Sequence, residues 1–63
     1  MNLYFCRYDS PNMRITMFCA ASDKEEAAYR LTQDAYEHDV FVSEDDVAVT
    51  HIDEVDGYKV TVE

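Results

Sequence analysis

Residues 2–20 read NLYFCRYDSPNMRITMFCA, two largely apolar runs separated by four residues that each favour a turn. In an extended chain the first run puts Leu3, Phe5 and Arg7 on one face and Tyr4, Cys6 and Tyr8 on the other, and its aromatics favour a strand. The DSPN segment at 9–12 should reverse the chain, because Pro11 fixes its own φ and lacks a backbone donor. Residues 13–20, MRITMFCA, then return as a second strand that is again apolar on both faces. DSPN allows more than one register for this hairpin.

Apolarity on both faces sets a requirement on the rest of the chain, since one helix covers only one face of a small sheet. The second face needs a loop, the curl of the sheet itself, or another protein surface. If that surface is a second copy of the chain, Tyr4, Tyr8 and Phe18 are the candidate dimer contacts.

The covering helix is announced by SDKE at 22–25, a Ser-x-x-Glu spacing in which Ser22 caps the helix and Glu25 reaches back. Ala27, Ala28, Leu31 and Ala35 fall on one side of a 3.6-residue wheel, so the spacing predicts a helix from 23 to about 37. Asp23, Glu25 and Glu26 suit the positive end of its dipole. The inner face is mostly Ala, which brings the helix close to the sheet and leaves the sheet's larger side chains to supply buried area. Tyr29 and Tyr36 form a second row off that stripe, either an exposed aromatic strip or, the favoured reading, the border of the core with their hydroxyls wet.

After the helix, VFV at 40–42 reads as a short strand or as a connector that tucks Phe41 under the sheet. SEDD follows as a loop, with Ser43 and Asp46 at capping spacing. Strands at 47–55 and 58–62 flank Asp56-Gly57, a pair that tolerates the positive φ angles of a type I′ turn. That turn pairs Val55 with Tyr58, Glu54 with Lys59, Asp53 with Val60 and Ile52 with Thr61. Val47, Val49, Val55, Tyr58, Val60 and Val62 then share one face, expected to meet the helix. His51 and Asp53 are misfits on it, so they lie beyond the helix's edge or are turned outward by a bulge near Ile52. The expected fold is a single α+β domain spanning 1–63, ordered ββαββ, an antiparallel sheet with one helix packed on one face.

A chain of 63 residues has room for one small core. Its net charge is −9, and that charge is unevenly placed. Residues 31–58 carry nine acids (Asp34, Glu37, Asp39, Glu44, Asp45, Asp46, Asp53, Glu54 and Asp56) and no Lys or Arg. Such a surface repels nucleic acid and anionic membranes and attracts basic proteins over about 8 Å in physiological salt. A surface that only confers solubility, or one adapted to high salt, would have the same composition.

Other chemistries are disfavoured. The stretch HIDEVDGYKV at 51–60 has Asp, Glu and Gly but not the ligand series of a calcium loop, so no metal is expected. With one Gly there is no phosphate-cradling loop, and His38 and His51 have no nucleophile at catalytic spacing. Neither a catalytic residue nor a cofactor is assigned. Direct nucleic-acid binding is opposed by the sign of the charge. Cys6 and Cys19 sit inside apolar runs and read as reduced, buried thiols. Without an apolar run of membrane-spanning length or a secretion-signal pattern at the N-terminus, the expected location is the cytoplasm.

With AASDKEEAAYRL leading into the helix and VTHIDEVDGYKV closing the chain, the layout resembles small acidic proteins encoded by phages, prophages and other mobile elements. In size and charge it is similar to anti-restriction and anti-CRISPR proteins. That resemblance implies an acidic decoy, a nucleic-acid mimic that occupies the basic surface of a nucleic-acid-binding host protein. The partner-binding residues expected on this reading are Glu37, Asp39, Glu44, Asp45, Asp46, Asp53, Glu54 and Asp56. The rival expectation is an assembly module that homodimerises through the open face of its sheet.

Overall fold

Strands β1 (Asn2–Asp9) and β2 (Arg14–Ala21) form the expected antiparallel hairpin in the computed structural model, which describes residues 1–60. Their register runs from Asn2 opposite Ala21 to Asp9 opposite Arg14. The turn closes one residue later than DSPN suggests. The Ser10 N–H donates to the Met13 carbonyl at 2.8 Å, and the Met13 N–H donates to Ser10 Oγ at 3.1 Å. Pro11 thus occupies the loop centre, where no backbone donor is needed. Asp9 is left to pair with Arg14 in the last rung, and the Arg14 Nε donates to its carboxylate at 2.6 Å.

Helix α1 (Lys24–Glu37) starts one residue later than a Ser22 cap would give. Asp23 is the N-cap: its carboxylate accepts from the Glu26 N–H at 2.8 Å, and the Ser22 hydroxyl instead donates to the Glu26 carboxylate at 2.9 Å. Both Ser22 and Asp23 have a Glu three residues on. The ionised oxygen of Asp23 is the stronger acceptor for the helix's free N–H groups. Ala27, Ala28, Leu31 and Ala35 are buried, as the wheel predicts.

The helix ends in a Schellman motif with Asp39 in the left-handed position, φ 61°. The Val40 N–H donates to the Ala35 carbonyl at 2.9 Å and the Asp39 N–H to the Tyr36 carbonyl at 3.0 Å. Tyr29 and Tyr36 are more exposed than a core border implies. Tyr36 packs edge-on against Phe41 with ring centroids 5.6 Å apart. Residues 40–42 form no strand, and Phe41 is 82% exposed rather than tucked under the sheet. Val42 takes the inward position and packs on the core. A 3₁₀ turn (Glu44–Asp46) follows, capped by Ser43 Oγ, which accepts from the Asp45 N–H.

β3 (Ala48–Ile52) returns along the free edge of β1, giving a sheet of order β2-β1-β3 with β1 central. Because β2 and β3 are both antiparallel to β1, α1 connects two parallel edge strands across the sheet. The helix covers the face that carries Tyr4 and Cys6 from β1, Cys19 and Ala21 from β2, and Val47 and Val49 from the approach to β3 and its length. Tyr8, Ile15 and Met17 extend this layer as partly buried side chains.

The terminal hairpin departs from expectation in its place but not in its turn. β4 (Glu54–Val55) pairs with β5 (Tyr58–Lys59) in the predicted register, and Asp56 (φ 53°) and Gly57 (φ 84°) take the two positive φ angles of a type I′ turn. The Val60 N–H donates to the Asp53 carbonyl at 2.9 Å. The expected pairing of Ile52 with Thr61, and the placement of Val62, lie outside the described residues. Val55 and Tyr58 do not face the helix: this hairpin is a separate two-stranded sheet, with Tyr58 78% exposed. Ile52 pairs with Leu3, near the start of β1, and this is the last pair of the β1–β3 ladder. The ladder stops at Asp53 and the apolar phase carried by Val47 and Val49 ends with it.

Candidate functional site

The fold distributes the eight candidate carboxylates into three groups. Glu37 and Asp39 stand at the C-terminal end of α1, where no basic residue occupies the last turn. Glu44, Asp45 and Asp46 make up the 3₁₀ turn. Asp53, Glu54 and Asp56 belong to the terminal hairpin and its lead-in. All eight are exposed. Among the described residues no hydrogen bond or ion pair links one group to another.

Ion pairing follows the same division. The pairs among the described residues are Arg7–Asp9 at 2.9 Å, Arg14–Asp9 at 2.6 Å and Arg30–Glu26 at 3.2 Å, so three of the five bases engage acids of the first half. None of the acids in residues 31–58 takes part. One basic side chain, that of Lys24, shares a groove with two of them across the fold. An open groove of about 520 Å³ between the helix start and the 3₁₀ turn is lined by Lys24, Glu25, Glu44 and Asp45 over Ala28, Val47 and Val49. A tally along the sequence misses that neighbour, because Lys24 lies 20 residues before Glu44.

The second surface is the sheet face opposite the helix. Cross-strand partners share a face, so Leu3, Phe5 and Arg7 lie with Ala20, Phe18 and Thr16 of β2 and with Ile52, Thr50 and Ala48 of β3. The rings of Phe5 and Phe18 pack in a tilted pair, 5.0 Å between centroids and 49° between planes, and Phe18 remains 64% exposed. Of the three residues expected on this face, Phe18 is there and the two tyrosines are not. Tyr4 is 5% exposed beneath the helix and Tyr8 packs on the same core, because the sheet's alternation places both with Cys6. Phe5 is the open-face aromatic that the expectation omitted; its partner Phe18 was the available signal.

Cys6 and Cys19 are both free and buried. Burial, with the neighbouring Cys19 thiol adding to it, pushes the Cys6 thiol up from its ordinary value of 9.0 to about 11. A thiol held this firmly in its protonated form is a poor nucleophile and metal ligand. His51 lies on the helix side of β3 but in the open, its ring 5.3 Å from that of Tyr4, as expected for a position beyond the helix's edge. His38 is the exposed C-cap of α1. Among the described residues no three His, Cys, Asp or Glu side chains converge as a metal site would require, and no helix is long and apolar enough to cross a membrane. A second open groove, about 350 Å³, runs between Thr32, Gln33 and Tyr36 of the helix and residues 40–43.

Comparison with family models, curated proteins and solved structures finds no match for this chain.

Proposed function

We propose that this protein is a non-enzymatic interaction module whose acidic surface binds a basic protein surface. The observation that carries the reading is the state of its carboxylates. Glu37, Asp39, Glu44, Asp45, Asp46, Asp53, Glu54 and Asp56 are exposed and take part in no ion pair among the described residues. Their charge is therefore available to a partner, with no internal bridge to break and a long-range attraction to speed encounter. A folded scaffold holding carboxylates on short, capped turns suits a nucleic-acid mimic, whose target is the basic channel of a nucleic-acid-binding host protein. On this reading the protein serves a phage or mobile element as an anti-defence factor. Two free thiols fit action in a reducing compartment such as the cytoplasm.

Affinity capture from host lysate tests the reading. Wild-type protein should retain a basic partner, and the variant carrying Asp45→Lys, Asp46→Lys, Asp53→Lys and Glu54→Lys should lose it. Equal capture by both would overturn the proposal.

A further inference from the structure

Among the described residues neither the uncovered sheet face nor the detached hairpin has a packing partner, and they complement each other. The face has an apolar centre, Phe5 and Phe18 with Leu3, Ala20 and Ile52 beside them. At its other end stand Arg7 and Arg14, whose side chains remain 51% and 70% exposed even though both pair with Asp9. The hairpin leaves the sheet at the opposite end, after Ile52 pairs with Leu3. It carries Asp53, Glu54 and Asp56 against one base, Lys59 opposite Glu54, so it remains net acidic, and it exposes the apolar pair Val55 and Tyr58.

We propose that two copies of this chain pack open face to open face, about a two-fold axis that runs across the strands at the Phe5–Phe18 row. That axis brings each copy's acidic hairpin to the Arg7 and Arg14 end of the other. The alternative axis, along the strands, sets the two arginine ends against each other and the two acidic hairpins against each other, which like charge opposes. Charge complementarity thus selects the orientation, and the Phe5–Phe18 row supplies the apolar centre. Strands of eight, eight and five residues, at about 3.4 Å per residue and about 4.8 Å per strand, present roughly 340 Å² per copy. With roughly 150–200 Å² from the hairpin the total over both copies reaches about 1,000–1,100 Å², at the low end for a specific interface. The dimer is therefore weak and concentration-dependent. It leaves Glu37, Asp39, Glu44, Asp45 and Asp46 free, so it does not depend on the acidic surface having a partner.

Analytical ultracentrifugation of the purified full chain from micromolar to millimolar concentration tests this, with circular dichroism to establish that each variant is folded. The wild type should pass from monomer to dimer across that range. Phe18→Lys should weaken association by about tenfold or more, since it places a charge at the centre of the interface. Thr50→Lys, at an exposed position in the same row, serves if Phe18→Lys does not fold. Arg14→Glu and Glu54→Lys should each weaken the dimer, and the double variant should recover part of the loss. A wild type that stays monomeric at millimolar concentration, or a dimer unchanged by the charge in the Phe5–Phe18 row, overturns the proposal. A double variant no better than its parents overturns the orientation.

Discussion

Leu31 of α1 and Cys6 of β1 belong to one buried cluster and are the largest fully buried side chains among the described residues. One supplies the only branched aliphatic group on a helix face otherwise made of alanine, and the other, with Tyr4, Cys19 and Ala21, is part of the floor on which that face rests. The helix is consequently held to the sheet through a narrow contact, and its stability is concentrated in few side chains.

Leu31→Ala should therefore be severe. Removing a fully buried Leu side chain costs about 2–5 kcal/mol through lost transfer energy and the cavity left behind. A chain of this size has a total stability of only roughly 3–9 kcal/mol. Urea denaturation followed by circular dichroism should show a large fall in midpoint, or a chain already partly unfolded in buffer.

Asp39 should be a site of easy stabilisation. It holds a left-handed conformation at φ 61°, and its carboxylate lies at the negative end of the helix dipole. Asp39→Gly removes both penalties and should raise stability by about 0.5–1 kcal/mol, read as an upward shift in thermal midpoint.

Gly57→Ala tests whether the terminal hairpin is energetically separate from the core. At φ 84° an alanine is strained, although a Cβ there would meet no neighbouring atom within 4 Å. The substitution should loosen the Val55–Tyr58 pairing, seen as chemical-shift changes confined to residues 53–60. The global thermal midpoint should hardly move, because Val55 and Tyr58 contribute nothing to the buried cluster.

The thiol of Cys6 should make the fold alkali-sensitive. Its pKa is raised in the folded state from 9.0 to about 11, so folding favours the protonated form. The unfolded chain loses that proton first, and stability should be unaffected below about pH 9 and fall between about pH 9 and pH 11. The informative quantity is the difference in urea midpoint between wild type and Cys6→Ala as pH rises. In the native state Cys6 should also react with a thiol reagent only at the rate of local unfolding.

Much of this fold is legible in the sequence because its signals are local. Alternation in NLYFCRY, the Ala27/Ala28/Leu31/Ala35 stripe and Asp56-Gly57 each act within a few residues, and each appears in the structure as strand, buried helix face and type I′ turn. The detachment of the terminal hairpin is not local: it depends on where the β1–β3 ladder ends, at the pairing of Leu3 with Ile52. The helix end was hidden for another reason, since its left-handed residue is Asp39 where a glycine would have marked it. Alternation separates two faces but does not say which one the helix takes, and this is why Tyr4 and Tyr8 could be assigned to the wrong side. The acidic bias of residues 31–58 is plain in the sequence. Its division into three groups, and the groove that Lys24 shares with Glu44 and Asp45, come only with the fold.

The most direct test of the acidic surface is the salt dependence of binding to the purified captured partner, measured by isothermal titration calorimetry. Affinity should fall steeply as salt rises. The variant with Glu44→Lys, Asp45→Lys and Asp46→Lys should bind at least about tenfold more weakly, whereas Phe18→Lys should bind as the wild type does. Binding that is insensitive to salt, with the triple variant as tight as the wild type, would contradict the account.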